Sequence, residues 1–175
     1  MSAPERLSFG EAIRRLVADA MWNFKDFRGA VRPDSESVIA EYDGTFAVEG
    51  ACDAYVHVLD YSVPVARIRF YEGNDVVAAD LVFDYYCERL SRFGTAPGEP
   101  AELVQNSGGE HRWRSLRFET DTLPVSVYRY SYEPGVEPAA ESLWITVYVE
   151  IDGFAVECID GSPDDSIWRI IMGDT

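Results

Sequence analysis

"ESLWITVYVEI", Glu141 to Ile151, is the stretch that decides how this chain folds. Leu143, Ile145, Val147, Val149 and Ile151 fall on one side of an extended backbone, and Trp144, Thr146, Tyr148 and Glu150 fall on the other. Successive side chains alternate across a strand, so this pattern describes a β-strand with one buried face, whereas a helix would scatter the same apolar set around its circumference. Two earlier runs, "RWRSLRFE" (Arg112 to Glu119) and "PVSVYRYSYE" (Pro124 to Glu133), carry the same alternation with β-branched and aromatic enrichment. On the C-terminal side, Asp152-Gly153 leads into a further alternating run, Phe154 to Ile159. A D-G pair between alternating runs predicts a hairpin with a type I′ turn. The last third of the chain is therefore expected to be an antiparallel sheet.

Working back from that sheet, two helices stand out. In "LSFGEAIRRL", Ser8 and Glu11 form an S-x-x-E capping box, and Phe9, Ile13, Leu16, Val17, Ala20, Phe24 and Phe27 recur at helical spacing, with Gly29 as the expected C-cap. From Asn74, a suitable N-cap, Val76, Ala79, Phe83, Tyr86, Leu90 and Phe93 form a second apolar stripe that ends at Gly94. Between the helices, Val38 to Tyr42 reads as a short strand before a turn at Asp43-Gly44. Ala54 to Tyr61 and Val65 to Tyr71 then read as an antiparallel pair. "GTAPGEPAEL" and "QNSGGE" are rich in turn residues and predict a long irregular arm between the second helix and the late strands. "PGVEPAA" predicts a loop and "SIWRII" a short final element, with Ser162 or Asp164 as its cap. The expected fold class is α+β, one domain over 1–175. An antiparallel sheet of about six to seven strands is packed by two main helices in the order α-βββ-α-ββββ, with a short C-terminal helix.

Charge narrows the partners. With 15 basic and 31 acidic residues the chain carries a formal net charge of −16. Nucleic acid is not an expected ligand, because phosphate binding needs a basic footprint, and an anionic membrane surface is disfavoured for the same reason. A negative field instead steers a basic protein towards the surface. Met1 to Arg6 has no apolar h-region, and charges interrupt the apolar residues of Phe9 to Phe27, so neither a signal peptide nor a membrane span is expected. Three cysteines, Cys52, Cys87 and Cys158, cannot complete a disulfide framework and point to a reducing cytoplasm. Every basic residue except Lys25 is arginine, which suits a GC-rich bacterial gene.

The sequence offers little to metal or catalytic chemistry. "IDGSPDDS" gathers Asp160, Asp164 and Asp165, but an EF-hand needs alternate oxygen ligands, a central glycine and a distal glutamate, and Pro163 intrudes here. His57 and His111 are the only histidines, too few beside Cys52 for a zinc site; His57 is expected beside the sheet and His111 in solvent. No G-x-S-x-G, G-x-G-x-x-G or Walker loop occurs, and the three cysteines read as small buried apolar residues. No metal, no cofactor and no catalytic residue is expected.

Two surfaces remain as candidates for binding a protein. Asp80, Asp84 and Glu88 recur every fourth residue on the second helix, an acidic column suited to a basic partner surface or simply to water. Tyr128, Tyr130 and Tyr132 share a strand face with Ser126, and Trp144 and Tyr148 extend it on the next strand. That face is either the half-buried underside of the helices or an aromatic docking patch. The combined expectation is a non-enzymatic, acidic protein-binding module of bacterial type. Its most direct use is that of an immunity-type inhibitor occluding a toxin or effector, monomeric or homodimeric. The order of helix, three strands, helix and more strands, together with the acidity, also resembles type III secretion chaperones, which implies a dimer that shields an effector. A third possibility is a small-molecule or enzymatic α+β domain, with His57, Asp60 and Tyr128 as first suspects.

Overall fold

The computed structural model of the chain describes residues 5–33, 39–60, 62–135 and 143–156. It is α+β, with ten strands and two helices among the described residues. In chain order these are β1 (Glu5–Leu7), α1 (Phe9–Ala20), β2 (Arg28–Val31), β3 (Ile39–Gly44), β4 (Phe46–Val48), β5 (Asp53–Leu59), β6 (Val65–Gly73), α2 (Val76–Leu90), β7 (Ala101–Asn106), β8 (Gly109–Phe118), β9 (Val125–Pro134) and β10 (Trp144–Asp152). Eight strands form a mainly antiparallel sheet in the order β2-β3-β5-β6-β10-β9-β8-β7, and β1 and β4 pair in a separate two-stranded parallel sheet. The residues group into two compact units. Unit 1 takes Met1–Glu49, Ala54–Arg67 and Asp152–Thr175, and unit 2 takes Gly50–Asp53 and Ile68–Ile151.

In unit 1, the expected capping of α1 is present: the Ser8 hydroxyl accepts the Glu11 N–H at 3.4 Å, and Phe9, Ala12, Ile13, Leu16 and Ala20 form the buried face. Ser8→Ala is expected to lower stability by about 1 kcal/mol, the usual cost of a lost N-cap, and urea unfolding checks it. The helix is shorter than its apolar period predicts. It stops at Ala20, and Asn23 and Phe24 adopt left-handed backbone, with φ of 53° and 62°. The Asp19 carboxylate holds this corner, accepting the Asp26 N–H at 3.1 Å and the Phe27 N–H at 2.9 Å. Phe24 and Phe27 are still buried, so the periodic residues are core, but they are delivered by a turn. Gly29 is consequently no C-cap. It lies in β2, where an added Cβ would stand 2.8 Å from the Asp43 carbonyl oxygen.

A second correction concerns Asp152-Gly153. Gly153 is not among the residues with positive φ, so no type I′ turn forms. Its N–H donates to the Pro64 carbonyl at 2.7 Å, and a Cβ there would come within 2.9 Å of Asn23 Oδ1 and 3.0 Å of Pro64 O. Close backbone approach, not turn geometry, makes this position a glycine. Phe154 to Val156 form no strand, and the rest of the expected run, together with Asp160, Ser162, Asp164, Asp165 and "SIWRII", lies outside the described residues.

In unit 2, α2 is capped one residue later than the sequence suggests: Asp75, not Asn74, is the N-cap, and its carboxylate accepts the Ala78 N–H at 3.0 Å. Ala79, Phe83, Tyr86 and Leu90 are buried as the stripe predicts, and the Tyr86 ring stacks on Phe70 at 3.6 Å. β8, β9 and β10 occupy the three late runs, paired antiparallel in an unbroken register from Trp144↔Tyr132 to Ile151↔Val125 and from Gly109↔Pro134 to Phe118↔Val125. Ile145, Val147, Val149 and Ile151 are each at most 1 % exposed, so the alternation along Leu143 to Ile151 marks the core. The expected irregular arm is instead largely a hairpin. Ala101 to Asn106 pair with Glu110 to Ser115, and all six residues of β7 are exposed.

Candidate protein-docking face

The register of unit 2 separates two faces. Residues directly opposite in an antiparallel pair share a face, so the pairs Leu103↔Trp113, His111↔Tyr132, Trp113↔Tyr130, Ser115↔Tyr128, Tyr132↔Trp144 and Tyr128↔Tyr148 put one aromatic row on one side. The other side carries Val125, Val127, Arg129 and Ser131 of β9, all buried, with Arg129 reaching Asp80 of α2. The tyrosines therefore lie on the sheet face opposite α2. Tyr128, Tyr130, Tyr132 and Tyr148 are half-buried, and Trp144 keeps 38 % of its surface exposed.

The rings support one another. Trp113 and Tyr130 lie 5.1 Å apart, Tyr130 and Trp144 meet edge to face at 5.7 Å, and Tyr128 stacks on Tyr148 at 5.3 Å. Such pairs contribute about 0.5–1.5 kcal/mol each beyond their buried area and hold the rings in place. His111 completes the cluster, 4.6 Å from Tyr132 and stacked near Trp113 at 5.8 Å. Its Nε2 faces the Ser107 carbonyl at 3.1 Å, so that nitrogen donates, and Nδ1 accepts the Tyr130 hydroxyl at 2.7 Å. Burial, and then the neighbouring Tyr132, raise the pKa of Tyr130 above its ordinary value, which keeps the phenol protonated as that donor. Trp144 Nε1 donates to Glu72 at 3.2 Å. The result is a fixed aromatic surface edged by Leu103, which is 54 % exposed.

His111, expected in solvent, is half-buried in this cluster, and Trp113 joins it. The signal was present in "HRWRS": His111, Trp113 and Ser115 alternate with Arg112 and Arg114, so the arginines masked an aromatic row.

The acidic column is placed differently from the aromatic residues. Asp80 lies 2.8 Å from Arg129 Nε and 3.9 Å from Arg114, and Asp84 lies 3.7 Å from Arg114. Arg114 and Arg129 are direct cross-strand partners, and like charges in that position repel unless carboxylates stand beside them. Two members of the column thus hold the helix to the sheet. Glu88 faces solvent, 75 % exposed at its side chain, with a loose contact to Arg92 at 3.8 Å, and Asp84 is itself 64 % exposed.

Of the suspects for small-molecule chemistry, His57 and Asp60 belong to unit 1 and Tyr128 to unit 2. Burial, followed by the charge of Arg67, lowers the His57 pKa, while Glu41 at 3.4 Å opposes the shift. Among the described residues no group of His, Cys, Asp and Glu is arranged to hold a metal. The Cys87 thiol is pushed up to about 12 by burial and by Asp84, whereas Cys52 is exposed. Iodoacetamide at pH 8 is therefore expected to label Cys52 in the native protein and to spare Cys87, as peptide mapping by mass spectrometry would show. No described helix is long and apolar enough to cross a membrane. Compared with known protein families, curated proteins and solved structures, the chain shows no significant match.

Proposed function

We propose that this protein is a binding module that docks a basic protein on the aromatic face of β8, β9 and β10, and that it acts by occlusion in the manner of an immunity-type inhibitor. The observation that carries the reading is the row Trp113, Tyr130, Trp144 with Tyr132, Tyr128 and Tyr148, set on the sheet side opposite α2 and pre-ordered by ring contacts and hydrogen bonds. Tyr and Trp are the residues that dominate binding energy at protein interfaces, and rings already fixed in place lose little entropy on docking. The net charge of −16 supplies steering towards a basic surface and opposes an acidic one.

Binding to the captured partner is expected to weaken about thirtyfold or more, some 2 kcal/mol, in either Tyr130→Ala or Trp144→Ala, the loss typical of central aromatic anchors. Glu88→Ala, a screened and exposed charge, is expected to change affinity less than about threefold. Calorimetric titration distinguishes them; equal affinities for the wild type and both aromatic variants would remove the face from the account.

One observation favours a second reading, a homodimeric chaperone-like protein. Val77, Leu81 and Tyr85, at i, i+4 and i+8 of α2, are 69 %, 67 % and 50 % exposed. An apolar stripe on the outer side of a helix suits a second copy of the same helix. A dimer in sedimentation equilibrium that Leu81→Lys dissociates would support this reading, and a monomer at all concentrations would end it.

A further inference from the structure

We infer that a cleft in unit 1 binds a guanidinium on an apolar stem, an arginine side chain presented by a polypeptide partner. The site shares no residue with the aromatic face and does not depend on it. The cleft encloses about 590 Å³ beside α1 and the corner that follows it, within the usual range of ligand sites, about 300–1,000 Å³. Its apolar part is Leu16, Phe27 and Phe46, with the two rings 4.6 Å apart. Trp22 lines the same cleft and is 63 % exposed, and an indole is the aromatic surface that attracts organic cations most strongly.

The charges in the cleft are unbalanced. Arg15 is already held by Glu5 through contacts of 2.8 and 3.2 Å and by Glu11 at 3.6 Å, so Arg15 and Glu5 offset one another. Asp19 and Asp26 remain. The Asp19 carboxylate is fixed by the backbone N–H groups of Asp26 and Phe27, which orient it without neutralising it. Asp26 makes no ion pair among the described residues; its backbone carbonyl accepts the Thr45 hydroxyl at 2.9 Å. Two carboxylates, an indole and an apolar floor together match a cation whose stem is hydrocarbon. Arginine meets this description better than lysine, because its planar and weakly hydrated head stacks on an aromatic ring while donating in the plane to carboxylates.

The test is a titration of the full-length protein with N-acetyl-arginine amide, followed through the Trp22 indole N–H resonance, which Trp22→Phe identifies by its disappearance. N-acetyl-norvaline amide, with the stem but no guanidinium, is the paired probe. The expected result is a saturable shift with the arginine probe, at least about fivefold weaker binding of the norvaline probe, and at least about fivefold weaker arginine binding in Asp26→Asn, since each loses a cation contact. Asp26 is exposed, so this variant is expected to keep the wild-type spectrum elsewhere. Equal shifts with both probes, absence of a shift, or unchanged affinity in Asp26→Asn would overturn the inference.

Discussion

Asp80→Ala is expected to destabilise the protein by about 2–3 kcal/mol, although Asp80 itself is partly exposed, because the substitution strands a buried arginine. Arg129 is 7 % exposed and sits directly across from Arg114 on the neighbouring strand. Asp80 lies 2.8 Å from the first and 3.9 Å from the second. Without this carboxylate a desolvated guanidinium is left beside a like charge, with Asp84 engaging only Arg114 at 3.7 Å. Arg129→Met removes the need for compensation and is expected to stay within about 1 kcal/mol of wild type, since apolar replacement of a buried ion pair is often neutral. The double variant should then recover most of the Asp80→Ala loss. Urea unfolding of the three variants measures this asymmetry. Equal losses for Asp80→Ala and Arg129→Met, or a loss below about 1 kcal/mol for Asp80→Ala, would mean that the cluster is not what holds α2 against β8 and β9.

Asn23→Ala is expected to cost about 3–4 kcal/mol. The Asn23 side chain is 5 % exposed and joins sequence positions far apart: Oδ1 accepts the N–H groups of Phe154 and Ala155 at 2.9 and 3.0 Å, and Nδ2 donates to the Ala155 carbonyl at 2.9 Å. Three hydrogen bonds, two of them buried and one part-buried, at about 1 kcal/mol each set most of the loss, because alanine leaves backbone donors and an acceptor unsatisfied. A further share of about 1 kcal/mol comes from the φ of 53°, which asparagine tolerates better than alanine. Asn23→Gly keeps the backbone relaxed while losing the same bonds, so it should unfold at a higher urea concentration than Asn23→Ala. If the two variants are equally stable, left-handed backbone contributes nothing at this corner.

These two clusters show where sequence reading reaches and where it stops. The period of two in Leu143 to Ile151 and in Val125 to Tyr132 located β9 and β10 because each strand has one dry face, and burial imposes its period on composition. The helix stripes were legible for the same reason. The end of α1 was not, because Phe24 and Phe27 keep helical spacing while the backbone turns at Asn23, a corner held both by the Asp19 carboxylate and by a side-chain bridge from Asn23 to residues more than a hundred positions away. β7 was hidden because both of its faces are wet, which leaves no alternation to read. The aromatic residues named from sequence do share a face, but that face could not be placed relative to α2 until Arg129 and Asp80 were seen to meet on the opposite side. Of the acidic column, Asp80 and Asp84 turned out to be engaged by arginines that lie thirty to fifty positions downstream, a pairing no local pattern encodes.

Docking of a foreign basic protein on the aromatic face is tested by site-specific photo-crosslinking in the protein's own host. Benzoylphenylalanine replaces Trp144 or Tyr132 on the face and, in a separate experiment, Leu81 on the outer side of α2, with crosslinked products identified by mass spectrometry. Positions 144 and 132 are both expected to capture one basic protein, and position 81 is expected not to capture it. Capture of that protein from position 81 alone, or no foreign product from either face position, would contradict docking on this face.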